Sequence, residues 1–199
     1  YGSVEIPADE NYPISPTSPY AVSKLAGDLH LKTLYKVKNF KMNIVRPSNG
    51  YGEGQQVWRI IPKAILYGLT GRKLPLEGGG KVKKSYIHAY DLANAIHMIA
   101  KNGKNGEIYN VGSKEPVSIY NLIEIISKHL NLQTDDLCYF VEGRIGEDKQ
   151  YWLNSDKINN ELDWKESITL DQGIFNMIKW VKQNKTELLL QEDRFTLRA

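Results

Sequence analysis

The sequence has a single cysteine and no long apolar run. With only Cys138 present, no disulfide can form within the chain, which suits a reducing compartment. Its neighbours Tyr139, Phe140 and Val141 favour a buried structural thiol over a nucleophile. No stretch approaches the ~20 consecutive apolar residues that a membrane-spanning helix needs, and the start of the sequence does not resemble a signal peptide. These absences predict a cytoplasmic globular protein without a membrane partner.

The sequence also lacks a concentration of charge of one sign. The net charge is +3, and acidic and basic residues are interleaved. Nucleic-acid-binding proteins more often carry a clustered basic stripe, so we predict no nucleic-acid partner. The densest basic group is Lys81-Val82-Lys83-Lys84. This group could contact one small anion such as a diphosphate, or it could be a solvated turn. We predict no metal site.

The first third of the chain predicts a helix followed by a buried strand. Ser18 is a plausible N-cap and Pro19 suits the first helical turn. Apolar residues then recur at helical spacing to about Val37. Met42 to Arg46 reads as a short strand that ends before Pro47. Such alternation is typical of a doubly wound α/β sheet.

The remainder predicts further short elements joined by turns. Asp91, Ser118 and Thr169 are predicted to cap helices. The predicted helices cover about 59–69, 91–100, 119–130 and 170–184, and the predicted strands cover 74–76, 84–88, 107–111 and 139–142. The glycines at 78–80 read as a turn between two strands, and the segment from Lys185 reads as a partly ordered tail.

Tyr20 and Lys24 form a Tyr-x-x-x-Lys motif within the first predicted helix. Positions four apart lie on one helical face, so the phenol and the ammonium are expected to point together. A nearby positive charge favours a phenolate, and a phenolate can act as a general base on a hydroxyl group. A chain with this many tyrosines and lysines holds such a pair by chance, so the motif alone carries no weight.

The order of the surrounding motifs gives the pair its meaning. The series runs through Pro16 to Gly27, then Arg46-Pro47-Ser48-Asn49-Gly50-Tyr51-Gly52, the Gly78-Gly79-Gly80 turn with Lys84-Ser85-Tyr86-Ile87-His88 and Asp91, Tyr109-Asn110-Val111-Gly112, and Arg144 to Tyr151. This ordered series resembles the extended short-chain dehydrogenase/reductases that act on nucleotide sugars, which include 4,6-dehydratases and 4-epimerases. The resemblance covers nearly the whole chain, from Tyr1 to about Asn184.

The resemblance implies an NAD-dependent enzyme and assigns roles to individual residues. Tyr20 resembles the family's catalytic base. Lys24 resembles the lysine that favours the ionised form of that base and binds the nicotinamide ribose. Pro47 and Ser48 are expected to lie against the nicotinamide, at the end of their strand, where α/β folds place ligands.

The resemblance also implies a set of substrate-binding residues. Asn49, Lys84 and Arg144 are expected to contact the diphosphate of a nucleotide-diphosphate sugar, and Arg59 is a weaker candidate. Lys84 stands where relatives usually carry arginine, and lysine offers a point charge rather than the bidentate hydrogen bonding of arginine. Asn49 could instead be a turn residue, while Arg144 could be a solvated loop charge. Glu77 stands where many relatives carry an aromatic residue that stacks on the nucleobase.

The family's glycine-rich NAD loop has no counterpart in this sequence. Gly78-Gly79-Gly80 lies between two strands, and Gly50-x-Gly52-x-Gly54 follows a late strand and lacks the full spacing. We therefore expect the cofactor loop to lie before Tyr1 and the chain alone to be inactive. The predicted fold is the remnant of a Rossmann-like parallel sheet in residues 1–56, followed by a small mixed α/β sugar-binding domain in 57–184 and a tail in 185–199. The strand at 107–111 can also join the first sheet.

These interpretations favour one function and leave two alternatives. We favour an NAD-dependent 4,6-dehydratase that acts through a 4-keto sugar, because the segment from Arg144 to Tyr151 looks slightly more like that subgroup. A 4-epimerase of the same family is the first alternative. A non-catalytic module that binds a nucleotide sugar or a partner is the second. We expect a homodimer for the complete protein, and an exposed apolar face on the first helix if the chain is made alone.

Overall fold

The computed structural model describes residues 1–143 and 149–194. The helices are α1 (Pro19–Lys38), α2 (Ile60–Gly68), α3 (Ala89–Asn102), α4 (Ile119–Leu130), α5 (Thr134–Leu137), α6 (Asp156–Leu162), α7 (Leu170–Gln183) and α8 (Lys185–Leu188). The strands are β1 (Ile44–Pro47), β2 (Asn49–Tyr51), β3 (Leu74–Glu77), β4 (Lys83–Lys84), β5 (Tyr86–His88), β6 (Ile108–Val111), β7 (Val117–Ser118), β8 (Cys138–Val141) and β9 (Gln150–Tyr151). Helices and parallel strand pairs alternate, which confirms the predicted α/β class.

Three of the predicted helix caps are present. The hydroxyl of Ser18 accepts from the backbone N–H of Ala21 at 3.2 Å. Ser118 and Thr169 accept in the same way from the residue three positions later, at 3.0 and 3.3 Å. Each hydroxyl satisfies one of the backbone donors that a helix leaves unpaired at its start. Local chemistry therefore sets where α1, α4 and α7 begin.

The predicted cap at Asp91 is wrong. Helix α3 begins two residues earlier, and its N-cap is His88, whose Nδ1 accepts from the backbone N–H of Tyr90 at 3.2 Å. Asp91 is fully buried, and its carboxylate accepts from the hydroxyl of Ser167 at 2.5 Å and from its backbone N–H at 3.1 Å. The Asp91 carboxylate, which the sequence predicts to cap a helix, therefore bonds instead to a serine that is distant in the sequence.

The described residues divide into two compact units whose segments interleave along the sequence. Unit 1 comprises Tyr1–Gly50, Val82–Val117 and residues 149–167, and unit 2 comprises Tyr51–Lys81 and residues 118–143 and 168–194. The assignment of residues 1–56 to cofactor binding and 57–184 to sugar binding stays a prediction.

Unit 1 is built on a parallel pair of strands. β1 and β6 run side by side, with Ile44 opposite Ile108 and Pro47 opposite Val111. Helices α3 and α6 pack on these strands over a buried apolar cluster. The buried members of this cluster are Ile87, Ala95, Ile99, Tyr109, Val111, Ile158 and Trp164. This cluster fixes the strand ends that carry the predicted cofactor residues.

Unit 2 combines the parallel pair β3 and β8 with helices α2, α4 and α7, which pack on one another. The thiol of Cys138 is buried there and donates to the carbonyl of Thr134 at 3.4 Å. Burial raises the pKa of the Cys138 thiol, which agrees with a structural thiol rather than a nucleophile. The segment predicted as a tail begins with α8, whose Leu188 is buried.

Two helical glycines predict opposite effects of the same substitution. A Cβ at Gly173, in α7, would meet the ring of the buried Tyr51, whereas a Cβ at Gly27, in α1, would meet no atom of the described residues within 4 Å. Overpacking costs about 1–3 kcal/mol, and alanine gains about 0.8–1 kcal/mol over glycine inside a helix. We expect Gly173→Ala to lower the free energy of unfolding by about 1–2 kcal/mol and Gly27→Ala to raise it by about 0.5–1 kcal/mol. Denaturant unfolding measures both, and a Gly173→Ala variant at least as stable as the parent would contradict this packing.

Candidate functional site

The structure brings Tyr20 and Lys24 together on the first turns of α1. The Ser18 cap and Pro19 set the start of the helix, so Tyr20 lies in its first turn and Lys24 one turn later. The Lys24 ammonium lies 6.0 Å from the centroid of the Tyr20 ring. The Tyr20 side chain is 72% exposed. A phenol and an ammonium therefore lie side by side where a ligand can reach them.

Pro47 and Ser48 lie at the end of β1. The backbone N–H of Ser48 donates to the carbonyl of Val111 at 2.8 Å, which continues the pairing of β1 with β6. The hydroxyl of Ser48 is buried, and within the described part of the chain it has no hydrogen-bond partner. A buried hydroxyl without a partner is costly, so a polar ligand atom at this strand end would satisfy it.

Asn49 and Lys84 are brought near each other through Ser85. The side-chain amide of Asn49 donates to the Ser85 carbonyl at 3.1 Å, and so does its backbone N–H, at the same distance. Lys84 is half-buried on β4, opposite Tyr151 of β9. The bond from Asn49 favours a structural role for its amide nitrogen, while its amide oxygen is not used by that bond.

The structure describes only one of the two predicted arginines, Arg59. Arg59 belongs to unit 2, where it is exposed and immediately precedes α2. Its side chain makes no capping hydrogen bond to that helix. Arg144 lies outside the described residues.

Sequence reasoning missed a half-buried charged group in β1, next to Pro47. The Arg46 guanidinium contacts Asp28 Oδ2 through Nε at 2.8 Å and donates to the hydroxyl of Tyr1 through Nη1 at 2.6 Å. The Tyr1 hydroxyl in turn donates to Asn110 Oδ1 at 3.0 Å. Burial raises the pKa of Tyr1, which keeps its hydroxyl protonated. Burial by itself lowers the pKa of Arg46, but the bonds to Tyr1 and Asp28 raise it overall, so its charge is retained. An arginine inside a predicted buried strand was the available signal.

The glycine triplet forms a tight turn between β3 and β4. Its backbone φ angles are 56°, 69° and 65°, in the left-handed region that glycine adopts readily. It does not join a strand to a long helix, as a dinucleotide-binding loop does. Within residues 1–143 and 149–194, no three His, Cys, Asp or Glu side chains are grouped to hold a metal ion. None of the helices described in those ranges is long and apolar enough to cross a membrane.

The chain is similar to known nucleotide-sugar enzymes along most of its length. A family model described as GDP-mannose 4,6 dehydratase matches residues 1–177. The dTDP-D-glucose 4,6-dehydratase of Mus musculus is 31% identical over 188 residues, covering 92% of this chain and 53% of that protein. The chain thus spans about half the length of the curated relatives it matches.

Solved structures show the same likeness. The dTDP-glucose 4,6-dehydratase DesIV from Streptomyces venezuelae, crystallised with NAD, matches with a TM-score of 0.89 and 28% identity, covering 94% of this chain and 58% of that one. A UDP-glucuronic acid 4-epimerase from Bacillus cereus, in complex with UDP-glucuronic acid and NAD, matches with a TM-score of 0.84 and 26% identity, covering 92% of this chain and 58% of that one. The chain therefore belongs to the GDP-mannose 4,6 dehydratase family, within the extended short-chain dehydrogenase/reductases that act on nucleotide sugars.

Proposed function

We propose that the full-length gene product carrying this chain is an NAD-dependent nucleotide-sugar 4,6-dehydratase. The observation that carries the proposal is the Tyr20–Lys24 pair, exposed at the start of a capped helix in a chain of this family. Relatives named as dTDP-glucose 4,6-dehydratases support the dehydratase reading.

Tyr20 is the proposed general base. Its phenolate oxygen removes the proton from the 4-hydroxyl of the sugar as C4 is oxidised to a ketone. The ammonium of Lys24, one helical turn away, lies 6.0 Å from the centroid of the Tyr20 ring.

The residues present fit an NAD site on the nicotinamide side. Ser48 offers a buried hydroxyl that lacks a partner in the described residues, at the strand end that also carries Pro47. Together with Tyr20 and Lys24, these two residues would hold the nicotinamide end of the cofactor. When bound, NAD supplies a hydride acceptor for C4 and later a hydride donor. The chain's own contribution is to orient the sugar hydroxyl and hold its proton on Tyr20.

The proposed substrate is a nucleotide-diphosphate sugar. Lys84, Arg59 and Arg144 are the candidate cationic contacts for the diphosphate, and Asn49 is a candidate polar contact. Lysine at position 84 provides charge without the bidentate geometry of arginine, so binding of the diphosphate would depend more on the two arginines. Residues 1–56 then form the end of the cofactor domain and 57–184 most of the sugar-binding domain. A cytoplasmic homodimer completes the proposal.

A 4-epimerase is the second candidate, and the likeness to the Bacillus cereus UDP-glucuronic acid 4-epimerase favours it. Both reactions begin with the same proton removal by Tyr20. They diverge after the 4-keto sugar forms, because a dehydratase eliminates water across C5 and C6 whereas an epimerase returns hydride to the opposite face of C4.

The decisive experiment assays the full-length gene product with NAD and dTDP-, UDP- and GDP-hexoses, analysing products by mass spectrometry with and without borodeuteride reduction. We expect a product lighter by one water, whose keto group takes up one deuterium. An isomer of unchanged mass would replace the dehydratase proposal with the epimerase. Binding of a nucleotide sugar without any turnover would favour the non-catalytic module, and neither binding nor turnover would overturn the proposal.

A further inference from the structure

Helix α1 contacts the rest of unit 1 along one face. None of its residues, all of which are described, is buried. The half-buried positions at helical spacing include Ala21, Leu25, Asp28 and Tyr35, so a carboxylate lies in the middle of the packed face. The Asp28 carboxylate is thus one of the groups through which α1 contacts the rest of unit 1.

The partner of Asp28 lies directly beside the predicted cofactor residues. Arg46 is the residue before Pro47 in β1 and contacts Asp28 Oδ2 at 2.8 Å. The side chains are well covered, with 14% of Arg46 and 21% of Asp28 exposed. The ion pair therefore joins the helix that carries Tyr20 and Lys24 to the strand that leads into Ser48.

Arg46 is itself held from a second direction. Its Nη1 donates to the Tyr1 hydroxyl at 2.6 Å, and the guanidinium lies 4.9 Å from the Tyr1 ring centroid. Tyr1 donates to the side chain of Asn110 on β6, whose backbone N–H donates to Glu10 at 2.7 Å. The guanidinium is thus fixed by two partners that use different nitrogens. A lysine could not reproduce this geometry, because it lacks the planar fork.

We propose that Asp28 and Arg46 are positioning residues that set the placement of the Tyr20–Lys24 pair relative to the Pro47–Ser48 strand end. This inference rests on the proposed function. Proton removal and hydride loss occur at one C–O–H unit of the sugar, so base and hydride acceptor must be held in register. A misplacement of about 1 Å can cost about 10²-fold in rate. A covered ion pair is weak evidence for stability, because apolar residues can often replace it without loss of stability.

The test uses Asp28→Asn in the full-length gene product. Asparagine keeps the size of the side chain but loses its charge. We expect kcat to fall by about 10- to 100-fold, with KM for the nucleotide sugar within about threefold of the parent. Asp28→Glu, which retains the carboxylate, should recover most of the lost kcat. The matched control is Glu107→Gln, which removes the ion pair between Glu107 and Lys157, 2.7 Å apart in the same unit. We expect the control to leave kcat unchanged.

A second measurement does not depend on activity. Hydrogen exchange of the amides in the first turns of α1 should be faster in Asp28→Asn than in the parent, and unchanged in Glu107→Gln. Unchanged exchange in Asp28→Asn would overturn the inference, as would an unchanged kcat at a temperature where the variant is fully folded. A parent without turnover on any nucleotide sugar would instead refute the proposed function, and the exchange result would still decide whether Asp28 fixes α1.

Discussion

Replacing Tyr20 by phenylalanine is expected to lower kcat by about 10²- to 10⁴-fold, the range that loss of a general base produces. The substitution removes one oxygen from a side chain that is 72% exposed, so folding should be unaffected. Affinity for the nucleotide sugar should stay close to that of the parent, because the lost oxygen is proposed to act in proton removal and the diphosphate contacts are proposed for other residues. Steady-state kinetics and calorimetry on the full-length gene product measure the two quantities separately.

Tyr90→Phe is the matched control for this substitution. Tyr90 is also exposed, at 64%, and also lies in the first turn of a helix in unit 1. Its backbone N–H donates to Nδ1 of His88 at 3.2 Å. We expect Tyr90→Phe to retain full activity. A Tyr20→Phe enzyme with near-parent turnover, or a Tyr90→Phe enzyme that is equally impaired, would remove Tyr20 from the catalytic role.

The features that the sequence predicted are those that depend on neighbouring residues. The Ser18 cap and Pro19 define the start of α1 through contacts within four residues. The Tyr20–Lys24 pairing then follows from helical geometry alone, which no distant contact has to supply. The fold class could be predicted for the same reason, because the alternation of helices and strands follows from the local periodicity of apolar residues.

The missed features depend on contacts between distant residues. Arg46 lies 18 positions from Asp28 and 45 from Tyr1, and no periodicity connects them. The burial of the Ser48 hydroxyl arises from the strands around it, which a sequence pattern does not reveal. Asp91 was assigned to a helix start because its partner, Ser167, lies 76 positions away. Helix α6, only 7 residues long, was missed because so short a helix shows little periodicity and is held by tertiary packing.

The largest stability effect is expected at Trp164, which closes the core of unit 1 two residues after α6. Its side chain is 2% exposed and packs in the cluster that includes Val111 of β6. The indole N–H donates to the Asp91 carbonyl at 3.2 Å. Truncating a buried tryptophan to alanine costs about 3–5 kcal/mol. Trp164→Phe keeps most of the ring and loses the hydrogen bond, so we expect a loss of about 1–2 kcal/mol in the free energy of unfolding.

Trp152→Ala is the matched control for Trp164→Ala. Comparing the two losses in the free energy of unfolding separates the effect of core packing from the general cost of removing an indole. Trp152 lies in the same unit, and its indole N–H also donates to a backbone carbonyl, that of Lys114, at 3.0 Å. It is only partly buried, so we expect its truncation to cost less than half as much as that of Trp164. Equal losses in denaturant unfolding would contradict the packing described for Trp164. Val111, a member of the same cluster as Trp164, also accepts the backbone N–H of Ser48 through its carbonyl. A looser cluster should therefore disturb the strand end that is proposed to hold the cofactor. We expect Trp164→Phe in the full-length gene product to weaken NAD binding under conditions where the variant is still folded.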